Sequence, residues 1–235
     1  MIDLHCHILP GIDDGPVEMQ TSIEMARIAA EDGIQTIVAA PHIKDILHST
    51  VMLDALVSQL NFQLASRNIP VKVLLGADVF ALLSPSRLKN YTINKSRYIL
   101  VEFPHTYLPN KSKEILFSLA VNGFCPIITH PERNAAIINR PDLLLDMLYG
   151  NVLVQITAGS LTGDFGHDEQ ACACYLLKKG AVHFIATDAH STNSRRPILS
   201  DGLMYAEKII GMEKAMKLVW DNPYSVLNDE RIIPY

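Results

Sequence analysis

Basic charge is scarce in this chain: 20 Lys and Arg stand against 25 Asp and Glu, for a net charge of −5 and a pI near 6.0. A nucleic-acid partner, whose phosphates need clustered cations, is therefore not expected. No uninterrupted apolar run approaches the roughly 20 residues that span a bilayer, so direct membrane insertion is not expected either. The start of the chain lacks the basic, apolar, small-residue succession of a signal peptide. Cysteine is too sparse for a disulfide scaffold, and Cys6, Cys125, Cys172 and Cys174 read as reduced thiols of a cytoplasmic protein. Cys172 and Cys174 are two apart on an expected helix, about 200° around its axis, which is poor geometry for gripping one ion. Neither a GxSxG elbow nor a GxxxxGK[ST] loop occurs. A cysteine-dependent phosphatase needs an arginine six residues past its nucleophile. Cys6 has Ile12 there and Cys125 has Pro131.

What is present is apolar residue in quantity, 49% of 235 residues, enough to bury a substantial core within one α/β domain spanning 1–235. The middle of the chain repeats a unit of amphipathic helix, glycine and short β-rich run. Asp32-Gly33 precedes Thr36–Ala40, and Lys179-Gly180 precedes Ala181–Thr187. The first helix is expected from about Thr21 to Asp32, opened by the capping box Thr21-Ser22-Ile23-Glu24. Further strands fit Ile2–Cys6, Val71–Ala77, Tyr98–Phe103, Pro126–Thr129 and Val152–Thr157. Strands alternating with helices imply parallel βα units, and continuous apolar runs imply coverage on both faces. An open doubly wound sheet and a closed TIM-like barrel both satisfy this. The barrel is favoured because polar candidates follow nearly every strand, and barrel loops at the C-terminal face converge on one site. Seven strands rather than eight would make it an irregular TIM-like barrel.

Those candidates are imidazoles and carboxylates. His5 and His7 alternate on one strand and so project to one side. Asp14, His42, Asp78, Glu102, His130, Asp188 and His190 lie just beyond apolar runs. Of the adjacent pair Asp13 and Asp14, the second is preferred. His48, His105, His167 and His183 lack this placement, and His183, at a strand beginning, is expected to be structural. Cys6 should point away from the ligands. Nine ligands exceed the needs of one ion, so two or three divalent ions sharing bridging carboxylates are expected, with Mn, Fe or Zn suited to the donors. Such ions polarise a phosphoryl oxygen and acidify bound water. Arg133 and Arg195, in the same loops as His130 and His190, offer bidentate donors to phosphate. Asn134 and the turn Thr157-Ala158-Gly159-Ser160 could add neutral donors. These residues point to a metal-dependent hydrolase.

The segment His5-Cys6-His7-Ile8-Leu9-Pro10-Gly11-Ile12-Asp13-Asp14-Gly15 resembles the PHP (polymerase and histidinol phosphatase) superfamily of phosphoesterases. So, in order, do Glu102-Phe103-Pro104, His130-Pro131-Glu132-Arg133-Asn134, Gly159-Ser160-Leu161-Thr162-Gly163 and Asp188-Ala189-His190. The chain looks most like the branch of bacterial manganese-dependent protein-tyrosine phosphatases of capsule and exopolysaccharide systems. That resemblance implies a distorted (β/α)7 barrel carrying a trinuclear centre, with manganese as the expected metal. His5, His7, Glu102 and Asp188 would surround one ion, Asp78, Glu102 and His130 a second, and Asp14, His42 and His190 a third. It also implies catalytic roles for Arg133, Arg195, Asp188 and His190. The implied substrate is a phosphotyrosine protein, namely a membrane-associated tyrosine kinase. The branch usually carries glutamate where Asp78 stands, often arginine where Phe80 stands, and a polar, Asn-rich run after His42 that this chain lacks. A small-molecule phosphomonoesterase of histidinol-phosphatase type is the alternative. An amidohydrolase is disfavoured by Glu102 at the position of that family's modified lysine, and a scaffold without activity by the full set of ligands.

Overall fold

The computed structural model describes residues 1–44 and 48–232. Its strands are β1 (Ile2–Cys6), β2 (Thr36–Ala39), β3 (His42–Ile43), β4 (Lys72–Leu75), β5 (Asp78–Phe80), β6 (Tyr98–Glu102), β7 (Cys125–Thr129), β8 (Leu153–Thr157) and β9 (Phe184–Ala186). Every pairing is parallel, in the orders β1-β2-β4 and β3-β5-β6-β7-β8-β9.

The two sheets meet where one strand run is interrupted on each side. Pro41, which has no N–H to give a ladder, separates β2 from β3. Gly76-Ala77 separates β4 from β5, so the expected strand Val71–Ala77 stops at Leu75 and a further strand, β5, follows beyond it. A Cβ at Gly76 would stand 2.6 Å from Val38 Cγ1, so a side chain here would collide with that of Val38. Pairing nevertheless bridges the interruption, since Gly76 N donates to Ala39 O at 2.9 Å and Asp78 N to Pro41 O at 3.1 Å. On the far margin β9 approaches β1. Asp188 N donates to His5 O and His7 N to Ala189 O, both at 2.8 Å, around a parallel bridge between Cys6 and Ala189.

The helices are α1 (Met19–Glu31), α2 (Thr50–Ser66), α3 (Ser112–Val121), α4 (Ala135–Asn139), α5 (Asp142–Leu145), α6 (Ala158–Thr162), α7 (His167–Lys178), α8 (Ser200–Ile210), α9 (Met212–Met216) and α10 (Asn222–Leu227). The expected capping box is not formed. Glu18 is the N-cap of α1, no side chain caps it, and Thr21 already lies inside the first turn. Met19 packs against the core and draws the helix two residues further back. No helix among the described residues is long and apolar enough to cross a membrane.

Alternate strand residues divide between two apolar clusters. Ile99, Val101, Ile128, Val154, Ile156 and Ile185 pack beneath the helices. Leu100, Ile127, Leu153 and Phe184 pack together on the opposite face of the same strands. Continuing along that second face by twos gives Glu102, Thr129 and Gln155 on β6, β7 and β8, where the face turns from apolar to polar. Cys6 packs in the first cluster, away from the histidines beside it, and burial drives its thiol pKa well up. Cys172, buried on α7, is pushed up to about 12 by burial, while Cys174 is only half-buried. His183 precedes β9, accepts a hydrogen bond from Val154 N at 3.1 Å, and is lowered to about 4 by burial, a structural role as expected.

Candidate metal centre

The nine anticipated side chains form one cluster; seven lie at or beyond the ends of β1, β6, β7 and β9, whereas His42 and Asp78 open the short strands β3 and β5 instead of closing the runs before them. Contacts of 4.0 Å or less between imidazole nitrogens and carboxylate oxygens, or between His5 and His7, link all of them. His5 Nε2 and His7 Nε2 face each other at 3.0 Å, and Asp188 Oδ1 lies 3.4 Å from both. Asp14 Oδ1 is 3.3 Å from His190 Nε2 and 3.5 Å from His42 Nε2. Asp78 Oδ2 sits between His42 Nδ1 at 3.4 Å, His5 Nε2 at 3.7 Å and His130 Nε2 at 4.0 Å. A carboxylate as short as aspartate thus reaches the middle of the cluster. Glu102 Oε1 is 3.8 Å from His130 Nε2, and Oε2 is 3.6 Å from His42 Nδ1. Donor atoms that lie within 4.8 Å of one another form overlapping groups: His7, Asp14, His42 and His190; His5, His7 and Asp188; Glu102, His105 and His130; and His42, Asp78 and Glu102.

Local structure aims these groups. A register shift in β1 between Asp3 and Cys6 turns the strand end. His130 (φ 33) and Asp188 (φ 51) hold left-handed backbone conformations that are costly without glycine, at the ends of β7 and β9. Three imidazoles have Nδ1 engaged, leaving Nε2 facing the cluster. His5 Nδ1 meets Gln155 Oε1 at 2.8 Å, His7 Nδ1 meets Asp13 Oδ2 at 2.6 Å, and His190 Nδ1 meets Asp188 O at 2.9 Å. Asp13 and Asp14 therefore divide the work, the first orienting His7 and the second facing His42 and His190.

The charges are strongly coupled. Burial opposes ionisation of Asp188, yet His5, His7 and His130 hold its carboxyl well below the usual range. Burial likewise opposes a charged His7, but Asp13 and Asp188 raise it to about 10. Burial lowers His130 to about 3, and burial with the neighbouring His7 lowers His190 to about 4. The last two are neutral imidazoles at pH 7, the form that ligates.

Divalent ions fit this donor set. Buried His42 Nδ1, His190 Nε2 and Asp78 Oδ2 have no hydrogen-bond partner among the described residues, although Thr129 Oγ1 donates to the other Asp78 oxygen at 3.2 Å. Glu102 Oε2 has no aligned hydrogen bond, though Lys44 Nζ lies 2.8 Å away. Buried polar atoms are rarely left so, and these four point into one cluster. Beside it, Arg133 Nη1 and Arg195 Nη2 donate to Asp188 Oδ2 at 2.6 and 2.5 Å.

Some expectations need correction. His105, set aside in the sequence, lies 3.3 Å from Glu102 Oε1 with its ring parallel to that of His130 at 5.1 Å. The spacing Glu102-x-x-His105 was the signal. Asn134 is not a free donor: its Oδ1 caps α4 and its Nδ2 donates to Pro104 O and Tyr107 O. Nor are the hydroxyls of Thr157 and Ser160, which donate to buried Glu132 Oε1 at 3.1 and 2.8 Å. Of the loop after His42, residues 45–47 lie outside the described residues.

Parallel strands that bring imidazoles and carboxylates together beside two guanidiniums define a metal-dependent hydrolase acting on anionic esters. Residues 1–228 match the family described as capsular polysaccharide synthesis, CpsB/CapC, and the chain belongs to it. It is 35% identical to tyrosine-protein phosphatase YwqE of Bacillus subtilis (strain 168), over 99% of this chain and 93% of that protein. It is 26% identical to tyrosine-protein phosphatase CpsB of Streptococcus pneumoniae, over 99% of this chain and all 100% of that one. A crystal structure from work on YwqE and CpsB, described as unique metal-dependent tyrosine phosphatases, superposes with a TM-score of 0.94 at 35% identity, covering 100% of this chain and 97% of that one.

Proposed function

We propose that this protein is a metal-dependent phosphatase that removes phosphate from tyrosine side chains of proteins in a capsule or exopolysaccharide system. The observation that carries this is the set of buried His42, Asp78 and His190 atoms without hydrogen-bond partners among the described residues, converging with Glu102 beside Arg133 and Arg195. Relatives matched along nearly their whole length are tyrosine-protein phosphatases, which favours phosphotyrosine over histidinol phosphate. The strand pairings, bridged at Gly76 and joined at Cys6–Ala189, support a closed, distorted (β/α)7 barrel within one domain, 1–235. We further assign His5, His7, Asp14, His42, Asp78, Glu102, His130, Asp188 and His190 as ligands of two or three divalent ions, manganese before iron or zinc. The expected substrate is a membrane-associated tyrosine kinase, met from the cytoplasm.

When bound, the ions would polarise the phosphoryl group and supply the activated water. The chain's own residues do the rest. Arg133 and Arg195 present guanidinium edges to the phosphoryl oxygens and stabilise the negative charge that grows in the transition state. Asp188 ties them to the metal ligands, since Oδ1 faces His5 and His7 while Oδ2 accepts from both arginines. Gln155 and Asp13 keep His5 and His7 turned inward. Steady-state kinetics of the manganese-loaded protein on a tyrosine-phosphorylated kinase tail and on histidinol phosphate test this. Preference for the tail is expected, with turnover abolished in His7→Ala and Asp188→Ala and far-UV spectra retained. Wild-type turnover in both variants would reject the site, and preference for histidinol phosphate the substrate.

A further inference from the structure

Between α6 and α7 the chain makes a short loop, Gly163-Asp164-Phe165-Gly166. The Gly159 carbonyl fastens it, accepting from Gly163 N at 3.0 Å and Asp164 N at 2.9 Å. Gly163 (φ 92) and Gly166 (φ 124) bracket the aromatic residue with backbone that other side chains strain to adopt. The half-buried Phe165 ring rests on Gly159, where a Cβ would stand 2.9 Å from Phe165 Cε2. The ring has a well-defined seat that depends on the absence of a side chain beneath it.

Both anion-facing arginines meet this ring. Arg133 Cζ is 4.3 Å from the ring centroid and Arg195 Cζ is 6.0 Å from it. Two guanidiniums anchored to one carboxylate oxygen repel each other, and hydrogen bonding to Asp188 restrains only one nitrogen of each. The negative face of an aromatic ring attracts guanidinium and dries its flat side, leaving the donor edges free. One such edge is visible: Arg195 Nε is buried and has no hydrogen-bond partner among the described residues.

We propose that Phe165, seated on Gly159, is the positioning residue that aligns Arg133 and Arg195 for a phosphoryl group. In this role it acts through the guanidiniums, whose Cζ atoms lie 4.3 and 6.0 Å from its ring centroid. This rests on the anion-binding role given to the arginines above. Removing the ring should weaken binding of phosphate while leaving metal content alone, because no candidate ligand contacts the loop's hydrogen bonds.

The test uses full-length, manganese-loaded protein and inorganic phosphate as the calorimetric probe, with metal per chain measured alongside. Phe165→Ala and Phe165→Leu should weaken phosphate binding and lower kcat/KM on a phosphotyrosine peptide by about 5- to 30-fold, as expected for a desolvated cation–π contact. Phe165→Trp should restore most of both, and Gly159→Ala, which displaces the ring without deleting it, should reproduce the loss. The Leu variant keeps bulk without a π face, so it remains informative if the Ala variant folds poorly. Phosphate affinity within twofold of wild type in Phe165→Leu and Gly159→Ala would overturn the proposal. Arg133→Ala separates the two levels. If it binds phosphate normally, the anion-binding role itself fails. If it is impaired while the Phe165 variants are normal, only the aromatic platform fails.

Discussion

Asp13→Asn is the most discriminating single change at this centre, because Asp13 makes no direct claim on an ion. Its Oδ2 lies 2.6 Å from His7 Nδ1 and accepts from His42 N at 3.0 Å, and its Oδ1 accepts from Gly15 N at 3.0 Å. One carboxylate thereby sets the orientation of two candidate ligands. Burial opposes its charge, but its bond with His7 holds the carboxyl below the ordinary carboxylate range. Asparagine has nearly the same shape and one acceptor fewer. Its oxygen can serve a backbone N–H, but its NH2 then faces His7 Nδ1 and favours the tautomer with the proton on Nε2, the nitrogen that faces the cluster. Loss of an orienting carboxylate typically costs about 10- to 100-fold in metal affinity, or roughly 1.4–2.7 kcal/mol. Calorimetric titration of metal-free Asp13→Asn with manganese should show weakening of that size, with kcat recovering to within a few-fold at saturating metal. A titration superimposable on wild type would refute the orienting role. A variant inactive at saturating metal would show instead that Asp13 takes part in turnover.

Glu132→Ala should destabilise the fold by about 3 kcal/mol, since it strands the Thr157 N–H and two hydroxyls that converge on one buried oxygen. Chemical unfolding measures this, and an unchanged midpoint would rule out the clamp. His183 gives the chain an acid sensitivity with a definite sign. Its folded pKa of about 4 lies below the unfolded value of about 6.5. The unfolded chain therefore binds the extra proton between these values. The stabilisation is complete above about pH 6.5 and lost toward pH 4, by roughly 1.4 kcal/mol per unit and about 3 kcal/mol in all. The stability of His183→Gln should fall less steeply over that window, and parallel urea-unfolding profiles would contradict it.

The clustering of the nine imidazoles and carboxylates was legible in the sequence because each declares itself twice, by donor chemistry and by position after an apolar run. His5 and His7 needed only the two-residue period of a strand, and Asp188 and His190 the end of another. The parallel α/β character followed from the same alternation. Second-rank residues were not legible, because their roles depend on neighbours remote in the chain. Gln155 is 150 residues from His5, and Asp13 is told from Asp14 only by which way a turn points. Glu132 looked like part of a phosphate-facing loop until its partners Thr157 and Ser160 were seen, and those hydroxyls had looked free for the same reason. The capping box at Thr21 failed on local competition: burial of Met19 outweighed a polar cap. His105 fell between the rules, with the right chemistry but three residues beyond its strand end.

The seam where Cys6 meets Ala189 has a bearing on biogenesis. His5 and His7 are synthesised more than 180 residues before the groups they face, Asp188 and His190. Early histidines therefore wait for the most sequence-distant pairing in the sheet, the kind of long-range contact that folds slowly. A nascent chain halted before β9 would carry seven of the nine proposed ligands but neither Asp188 nor His190. If those residues hold ions as proposed, tight metal capture waits for that pairing, and a half-made chain stays without its full set.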